Sequence, residues 1–457
     1  MLLSRLNDVV WSPWLLGLFL AAGLYYSLRT GFFQIFRIPL WLRTTFGAML
    51  RRRGRGNGRG ISQFQALATA LASTIGTGSI AGVATAIWFG GPGAVFWMWV
   101  SALLGMMTGC AEKLLSVRYR RAGPAGWLGG PMYYILDGLK SPLLAGWFAL
   151  ACLPATLTGG DMVQSSSIAA ALQATFGWDR LAVGAAVAVL TGLVMVGGIG
   201  RIARVSSGLV PAMALLYLGG GAAVLAARAD QIPEAMALIF CSALRPEAAV
   251  GGGMGYTLAA ALRYGVARGV FTNEAGLGTS AMAHAAAEVD CPARQGMWGI
   301  VEVCVSTLLV CTSTALVILV SGVYGPADAL VRGALGAVPP DRLGAPLTAA
   351  AFSSVLGPWG GAVVSLSLLL FAFSSILGWS WYGEQSILYL TGSRRLVPAY
   401  RLVFLSCVVL GSVWEGEAVW ELVDLCNALM AIPNLTALLL LSPQVLRELR
   451  DWERTGG

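Results

Sequence analysis

Apolar runs of membrane-crossing length, separated by short polar connections, fill most of this chain. A bilayer core about 30 Å thick is crossed by a helix of about 20 residues. On that measure the sequence predicts eleven spans, at 12–34, 62–90, 93–117, 141–172, 180–200, 206–228, 252–286, 295–322, 348–382, 399–412 and 417–442. The first begins after Trp11-Ser12-Pro13 and is too long, with the wrong flanks, for a cleaved signal peptide. The tenth is the weakest, because Trp414-Glu415-Gly416-Glu417 interrupts it early. The fold class is therefore an all-α integral membrane protein of about 11 transmembrane helices.

Two spans depart from the plain pattern. In the second, Leu71-Ala72-Ser73-Thr74-Ile75-Gly76-Thr77-Gly78-Ser79-Ile80 places two glycines and four hydroxyl residues at mid-depth. In the seventh, Arg268-Gly269-Val270-Phe271-Thr272-Asn273-Glu274-Ala275-Gly276-Leu277-Gly278-Thr279 does the same and adds an amide and a carboxylate. Polar, glycine-rich backbone is tolerated at that depth where it is buried or lines a cavity. Each span is thus predicted to be two half-helices joined by an unwound segment. One opens a set of five spans and the other opens the next five, so the two sets have opposite topology. Paired broken helices in inverted repeats point to a transporter's central site. Half-helix N–H groups suit a carboxylate, and freed carbonyls with nearby hydroxyls suit a small hard cation. A zwitterion with Na⁺ or H⁺ is the expected cargo, and Phe371-Ala372-Phe373-Ser374-Ser375-Ile376-Leu377-Gly378-Trp379 of the ninth span supplies further hydroxyls.

Composition narrows the function. Of 457 residues, 57% are hydrophobic and 11% charged, against the roughly 25% charged residues of a soluble domain. This excludes a soluble enzyme, a nucleic-acid-binding domain and a disordered scaffold. One histidine and eight cysteines without a CxxC argue against a metal or disulfide framework. Cys304, Cys311 and Cys407 fall in apolar runs as small buried hydrophobes, and His284, beside a cytoplasmic loop, is expected to be solvated. The net charge of +8 is concentrated in loops. The run Arg51-Arg52-Arg53-Gly54-Arg55-Gly56-Asn57-Gly58-Arg59 lies between two spans and marks a cytoplasmic loop rather than an RNA site. Arg37, Arg43, Arg118, Arg120, Arg121, Arg201, Arg204, Arg294, Arg394, Arg395, Arg447, Arg450 and Arg454 share its side; Arg180, Arg228, Arg245, Arg332 and Arg342 lie on the other. With an odd span count, the N-terminus is outside and the C-terminus cytoplasmic. Two carboxylates at depth, Glu274 and Glu112, are functional candidates by their cost. Glu274 is expected to pair with half-helix amides or to handle an ion or proton, and Glu112 to pair with an arginine.

The segments Gly76–Ile87, Gly90–Val100 and Gly265–Gly278 closely resemble the alanine or glycine:cation symporter family, as do Gly129–Tyr134, Trp379–Glu384 and Asn427–Asn434. The resemblance covers nearly the whole chain. It implies a leucine-transporter-type fold: an extra N-terminal helix (1–35), a basic cytoplasmic loop (36–61), a first five-helix repeat (62–228), an extracellular connection (229–251), a second repeat (252–442) and a cytoplasmic tail (443–457). It implies sodium-driven uptake of alanine, glycine or similar amino acids across a prokaryotic plasma membrane, with no catalytic residues, organic cofactor or nucleic-acid partner. By the same resemblance the amides of Thr77, Gly78 and Ser79 hold the substrate carboxylate, Gln164 adds a polar contact, and Phe271, Gly276 and Trp379 shape a small pocket. Na⁺ sits against carbonyls of Ala72, Ile75 and Phe371 and hydroxyls of Ser374 and Ser375.

Two departures stand out. The family usually has Asn where this chain has Ser79, and an Asp-Thr pair where it has Ser306-Thr307. Hard cations favour charged oxygen ligands, so a second cation site is expected to be lost or altered. Glu302, one turn before Ser306, is the candidate replacement; Glu274, Glu302 and Ser306 form the ion- or proton-coupling set. The other readings are a proton-coupled carrier with that altered site, an ion channel and an intramembrane enzyme. A channel would need a continuous polar pore, and an enzyme a reactive pair at depth.

Overall fold

The computed structural model describes residues 2–50, 60–123, 126–244, 258–324, 344–414 and 417–455. The Arg51–Arg59 run, Arg245, Arg332, Arg342 and the start of the 252–286 span lie outside the described residues. Each of the eleven expected spans has a helix at its place. Seven described helices are long and apolar enough to cross a membrane, or eight if one bent pair counts as a single span. The seven are Gly93–Arg118, Pro142–Phe176, Gly198–Ala227, Pro292–Val320, Pro358–Thr391, Arg394–Val413 and Val419–Leu440. The bent pair is Gln63–Thr74 with Gly78–Gly90. Pro13–Arg29, Arg180–Met195 and Leu258–Asn273 are shorter.

Local chemistry starts and stops these helices. Proline opens Pro142–Leu157, Pro292–Val303 and Pro358–Thr391, where its missing N–H costs nothing and its φ is already helical. Ser62 and Gln65 close a reciprocal capping box ahead of Gln63–Thr74 (3.1 and 3.0 Å). The expected 348–382 span is corrected: Ala345–Leu356 ends at Gly357, whose φ is +59°, and a separate helix runs Pro358–Thr391. A left-handed glycine breaks an otherwise continuous apolar run there.

Small residues set the closest helix crossings. A Cβ on Gly299 would lie 2.5 Å from the Gly109 carbonyl oxygen, so Pro292–Val303 and Gly93–Arg118 meet backbone to backbone. Gly265 and Gly269 bring Leu258–Asn273 onto the same central helix, against Ala94 and Ser101. Gly378 brings Pro358–Thr391 against Ser73 of the first broken helix. Gly93–Arg118 is thereby enclosed, and 19 of its residues are buried.

Shorter helices occupy the connections: Ile38–Leu50, Ile232–Leu244 and Ser442–Arg454. The last buries Val445, Leu446, Leu449 and Trp452 and is tied by Glu448 to Arg118 at the end of the central helix. All eight cysteines are free thiols; Cys311 is buried, whereas Cys304 and Cys407 are only half-buried, a correction to their expected burial.

The close crossing generates a prediction. Gly299→Ala should lower the melting temperature of the purified protein, at a cost of about 1–3 kcal/mol from overpacking. Gly17→Ala, where a Cβ meets nothing within 4 Å, should leave it unchanged or slightly raised. Equal melting of the two variants would contradict the crossing.

Candidate functional site

The first broken helix ends at Thr74. Ile75 leaves helical geometry (φ −86°, ψ 77°), and winding resumes in a π turn at Gly78–Gly82, with the two pieces bent by 54°. Gly76 is required at the corner, because a Cβ there would lie 2.5 Å from Ser375 Oγ and 3.1 Å from Gln164 Oε1. The freed groups find specific partners. Thr77 N–H donates to Gln164 Oε1 (3.3 Å), and Gln164 Nε2 donates to the Gly159 carbonyl (3.0 Å). Thr314 and Thr348 hydroxyls donate to the Ser79 and Ile80 carbonyls (2.8 and 3.2 Å). The Thr77 and Ser79 hydroxyls are buried with no protein partner.

The second break is shifted from its expected place. Arg268–Asn273 stay helical, and the chain unwinds only from Glu274 to Ser280 before a five-residue helix, Ala281–Ala285. The expected second half-helix is thus a single short turn. Glu274, Gly276 and Gly278 have φ of +54°, +97° and +80°. For Glu274 this left-handed backbone is unusual and is held by its surroundings. Asn273 Oδ1 accepts from Ala275 N–H (3.0 Å), and the Thr279 hydroxyl donates to the Glu274 carboxylate. Gly276 N–H donates to Glu112 Oε1 (2.9 Å); Asn434 Nδ2 donates to the Gly276 carbonyl and to Glu112 Oε1 (2.8 Å each).

Both breaks meet at one cavity of about 20 Å³. Its wall takes Ser73, Thr74, Gly76 and Gly78 from the first break and Phe271, Glu274 and Leu277 from the second. Gly159, Gln164, Trp379, Val423 and Asn427 complete it. All of these are buried except Phe271, which is half-buried and faces Trp420 at 6.2 Å between ring centroids. Such a void holds one or two waters, so even a small organic solute requires the wall to move.

Of the sequence-predicted substrate residues, Gly78, Gln164, Phe271 and Trp379 reach this wall, and Thr77 touches it through Gln164. Gly276 does not: it packs against Phe19 and Leu435, with its amide taken by Glu112. The predicted cation ligands Ala72, Phe371, Ser374 and Ser375 do converge. Ser374 Oγ donates to the Phe371 and Ala72 carbonyls (2.8 and 3.1 Å), and Ser375 Oγ to those of Ala72 and Ser73 (3.0 and 3.1 Å). Ile75 is buried at the helix end, its N–H on the Leu71 carbonyl (2.8 Å). Near Ser79, Asn273 Nδ2 donates to Thr307 Oγ1 (3.3 Å), while Ser306 Oγ turns to the Val303 carbonyl (3.4 Å).

Glu302 belongs to a different assembly. Lys113 Nζ lies 3.3 Å from both Glu112 and Glu302, and His284 Nε2 lies 3.2 Å from Glu302. Gln295 Nε2 meets His284 Nδ1 at 2.6 Å, so the neutral tautomer with Nε2–H donating to Glu302 satisfies both contacts. All four side chains of the cluster are fully buried. Two expectations are corrected here. His284 is buried in an ion cluster rather than solvated, and Glu112 pairs with Lys113 rather than with an arginine. Lys113 itself was missed: one of its partners, Glu112, is its sequence neighbour, but the other, Glu302, comes from a distant helix.

Hydroxyls, freed main-chain groups and a small cavity can grip a small polar solute and a cation. No group of three or more His, Cys, Asp or Glu side chains suited to a metal occurs among the described residues. Comparison with known proteins is consistent along the chain. A model described as the sodium:alanine symporter family matches residues 1–456. The sodium/alanine symporter AgcS of Methanococcus maripaludis is 41% identical over 98% of this chain and 96% of its own length. An uncharacterized transporter of Haemophilus influenzae is 42% identical over 99% and 95% respectively. The crystal structure of the Eremococcus coleocola manganese transporter superposes with a TM-score of 0.54 at 16% identity, covering 85% of this chain and 78% of that one, a likeness of fold alone.

The ion cluster yields a test. Lys113→Met leaves Glu112 and Glu302 uncompensated and should destabilise the protein by about 3–5 kcal/mol. The double variant K113M/E302Q should recover part of the loss, read as melting temperature and yield of monodisperse protein. A K113M protein as stable as wild type would contradict the assignment.

Proposed function

The chain belongs to the sodium:alanine symporter family, and from that premise we propose that it moves alanine, glycine or a similarly small amino acid with Na⁺ by alternating access. It is a multi-pass membrane transporter for amino acid and cation, not an enzyme. The finer reading rests on one observation: both helix breaks border a single cavity too small for its cargo at rest, and the Ser374–Ser375 pair meets the Ala72 carbonyl of the first broken helix beside it. An occluded site must open to load, and opening to one side at a time is what coupling requires.

In this reading the N–H groups of Thr77, Gly78 and Ser79 take the substrate carboxylate, where Gln164 Oε1 now accepts from Thr77. The Gln164 side chain swings aside or shares the donor. Trp379 and Phe271 limit the substrate side chain to about a methyl group. The carbonyls of Ala72, Ile75 and Phe371 with the hydroxyls of Ser374 and Ser375 hold Na⁺, since two seryl oxygens already lie within hydrogen-bond distance of those of Ala72 and Phe371. The spans form two inverted five-helix repeats after an extra N-terminal helix, with the N-terminus outside and the C-terminus cytoplasmic in a prokaryotic plasma membrane. The second cation site is altered, because Ser79 and Ser306 bring no carboxylate to it and Glu302 is held by Lys113 and His284. Coupling to H⁺ instead of Na⁺ is the competing version, favoured by the Glu274 carboxylate in the cavity wall.

Proteoliposomes decide between the two. Alanine uptake should follow an imposed Na⁺ gradient and ignore an H⁺ gradient, and leucine should not be carried. Ser374→Ala and Ser375→Ala should each raise the half-saturating Na⁺ concentration on the order of tenfold, the loss of one charge-assisted contact. Ser406→Ala, at an exposed position, should not change it. Uptake driven by H⁺ alone would favour the Glu274 version.

A further inference from the structure

Among the described residues, Asp161 is a carboxylate in a spanning helix that neither the ion cluster nor the cavity uses. It sits in the π turn Thr158–Met162, fully buried, and neither of its oxygens has a protein hydrogen-bond partner. The turn is packed on every side. Gly411 lies on the Met162 backbone, Gly160 on Trp379 and Gly159 on Val423. The titratable groups that sense its charge are Tyr400 and Cys407 on Val397–Val413. On Pro358–Thr391, Glu384 is held by Arg401 (2.7 Å). On Glu417–Leu440, Asp424 interacts with Arg268, and on Pro142–Leu157 the titratable group is Cys152. No cation faces Asp161 among the described residues.

An ionised carboxylate without donors in an apolar interior is costly, and such groups neutralise instead. A carboxylic acid has an O–H to give, and a π turn leaves main-chain carbonyls outside the regular helix ladder to receive it. The same turn touches the cargo site: Gly159 lines the cavity, and its carbonyl holds Gln164, which in turn holds Thr77. We propose that Asp161 is a proton-binding site, occupied while the carrier is closed around its cargo and emptied when the π turn rearranges. The step is an acid dissociation: the O–H bond breaks, the electron pair stays on the carboxylate, and the proton passes to water entering the opened pathway. This adds a proton-linked step to the Na⁺-coupled cycle and rests on that reading for the identity of the cargo.

The test compares wild type with Asp161→Asn, its neutral isostere. Alanine uptake under a fixed Na⁺ gradient is measured at equal internal and external pH, from neutral to alkaline. Melting temperature is followed over the same range, which reads the proton without transport. Wild-type uptake should fall as pH rises, by at most about tenfold per pH unit for one proton, and the D161N profile should be flatter. The native state holds a proton that the unfolded chain releases, so wild-type melting temperature should also fall with pH relative to D161N. Superimposable pH profiles and parallel melting curves would overturn the proposal. So would a D161N protein whose half-saturating Na⁺ concentration is raised at every pH, since that means the charge is needed as a cation ligand. Absence of Na⁺-driven uptake in wild type would instead refute the function proposed above, while the melting curves still decide the role of Asp161.

Discussion

Every main-chain N–H and C=O in the membrane-spanning part of this protein must find a partner within the protein or a cavity, because hydrocarbon offers none. Two helices that break inside the bundle therefore have to be answered group by group. At the first break the partners are Gln164, Thr314 and Thr348. At the second they are Asn273, Glu112 and Asn434. These side chains come from several different helices, so the breaks hold the bundle together as much as the bundle holds them. The cavity is what remains where no side chain closes the gap.

The two breaks are stabilised differently. The first is supported by neutral hydroxyls and an amide, contacts that exchange readily. The second is anchored to Glu112, whose charge is balanced by Lys113 and, through it, by Glu302 and His284. A buried ion cluster costs desolvation and is rigid once formed. It sits where Gly109 and Gly299 bring two helices into backbone contact. The first break is thus the wall of the site with neutral partners, and the second the wall with charged ones.

The seven or eight long apolar helices and the presence of both breaks were legible because apolar runs mark the one, and glycine with hydroxyls inside such a run marks the other. The unwinding point of the second break was not: Arg268–Asn273 look as polar as the Glu274–Thr279 stretch, and only the left-handed backbone at Glu274 tells them apart. Gly357 was hidden because apolar helices flank it on both sides. His284 and Lys113 were hidden for another reason. His284 sits beside a loop in the sequence, where a charge meets water, and Glu302, the partner it shares with Lys113, comes from another helix. The hydroxyl pair Ser374–Ser375 lies on the Ala72 carbonyl, whereas Gly276 packs against Phe19, since the side a glycine faces in an unwound segment has no sequence signature.

The central claim is that the first break holds the cargo's carboxylate at the cavity that both breaks border. The most direct measurement is a structure determined with alanine and Na⁺ bound. The account predicts density for the alanine carboxylate within hydrogen-bond distance of the Thr77–Ser79 amides, with its methyl group toward Trp379 and Gln164 displaced from Thr77. Alanine bound elsewhere, with the Gln164–Thr77 contact and the closed cavity unchanged, would contradict it.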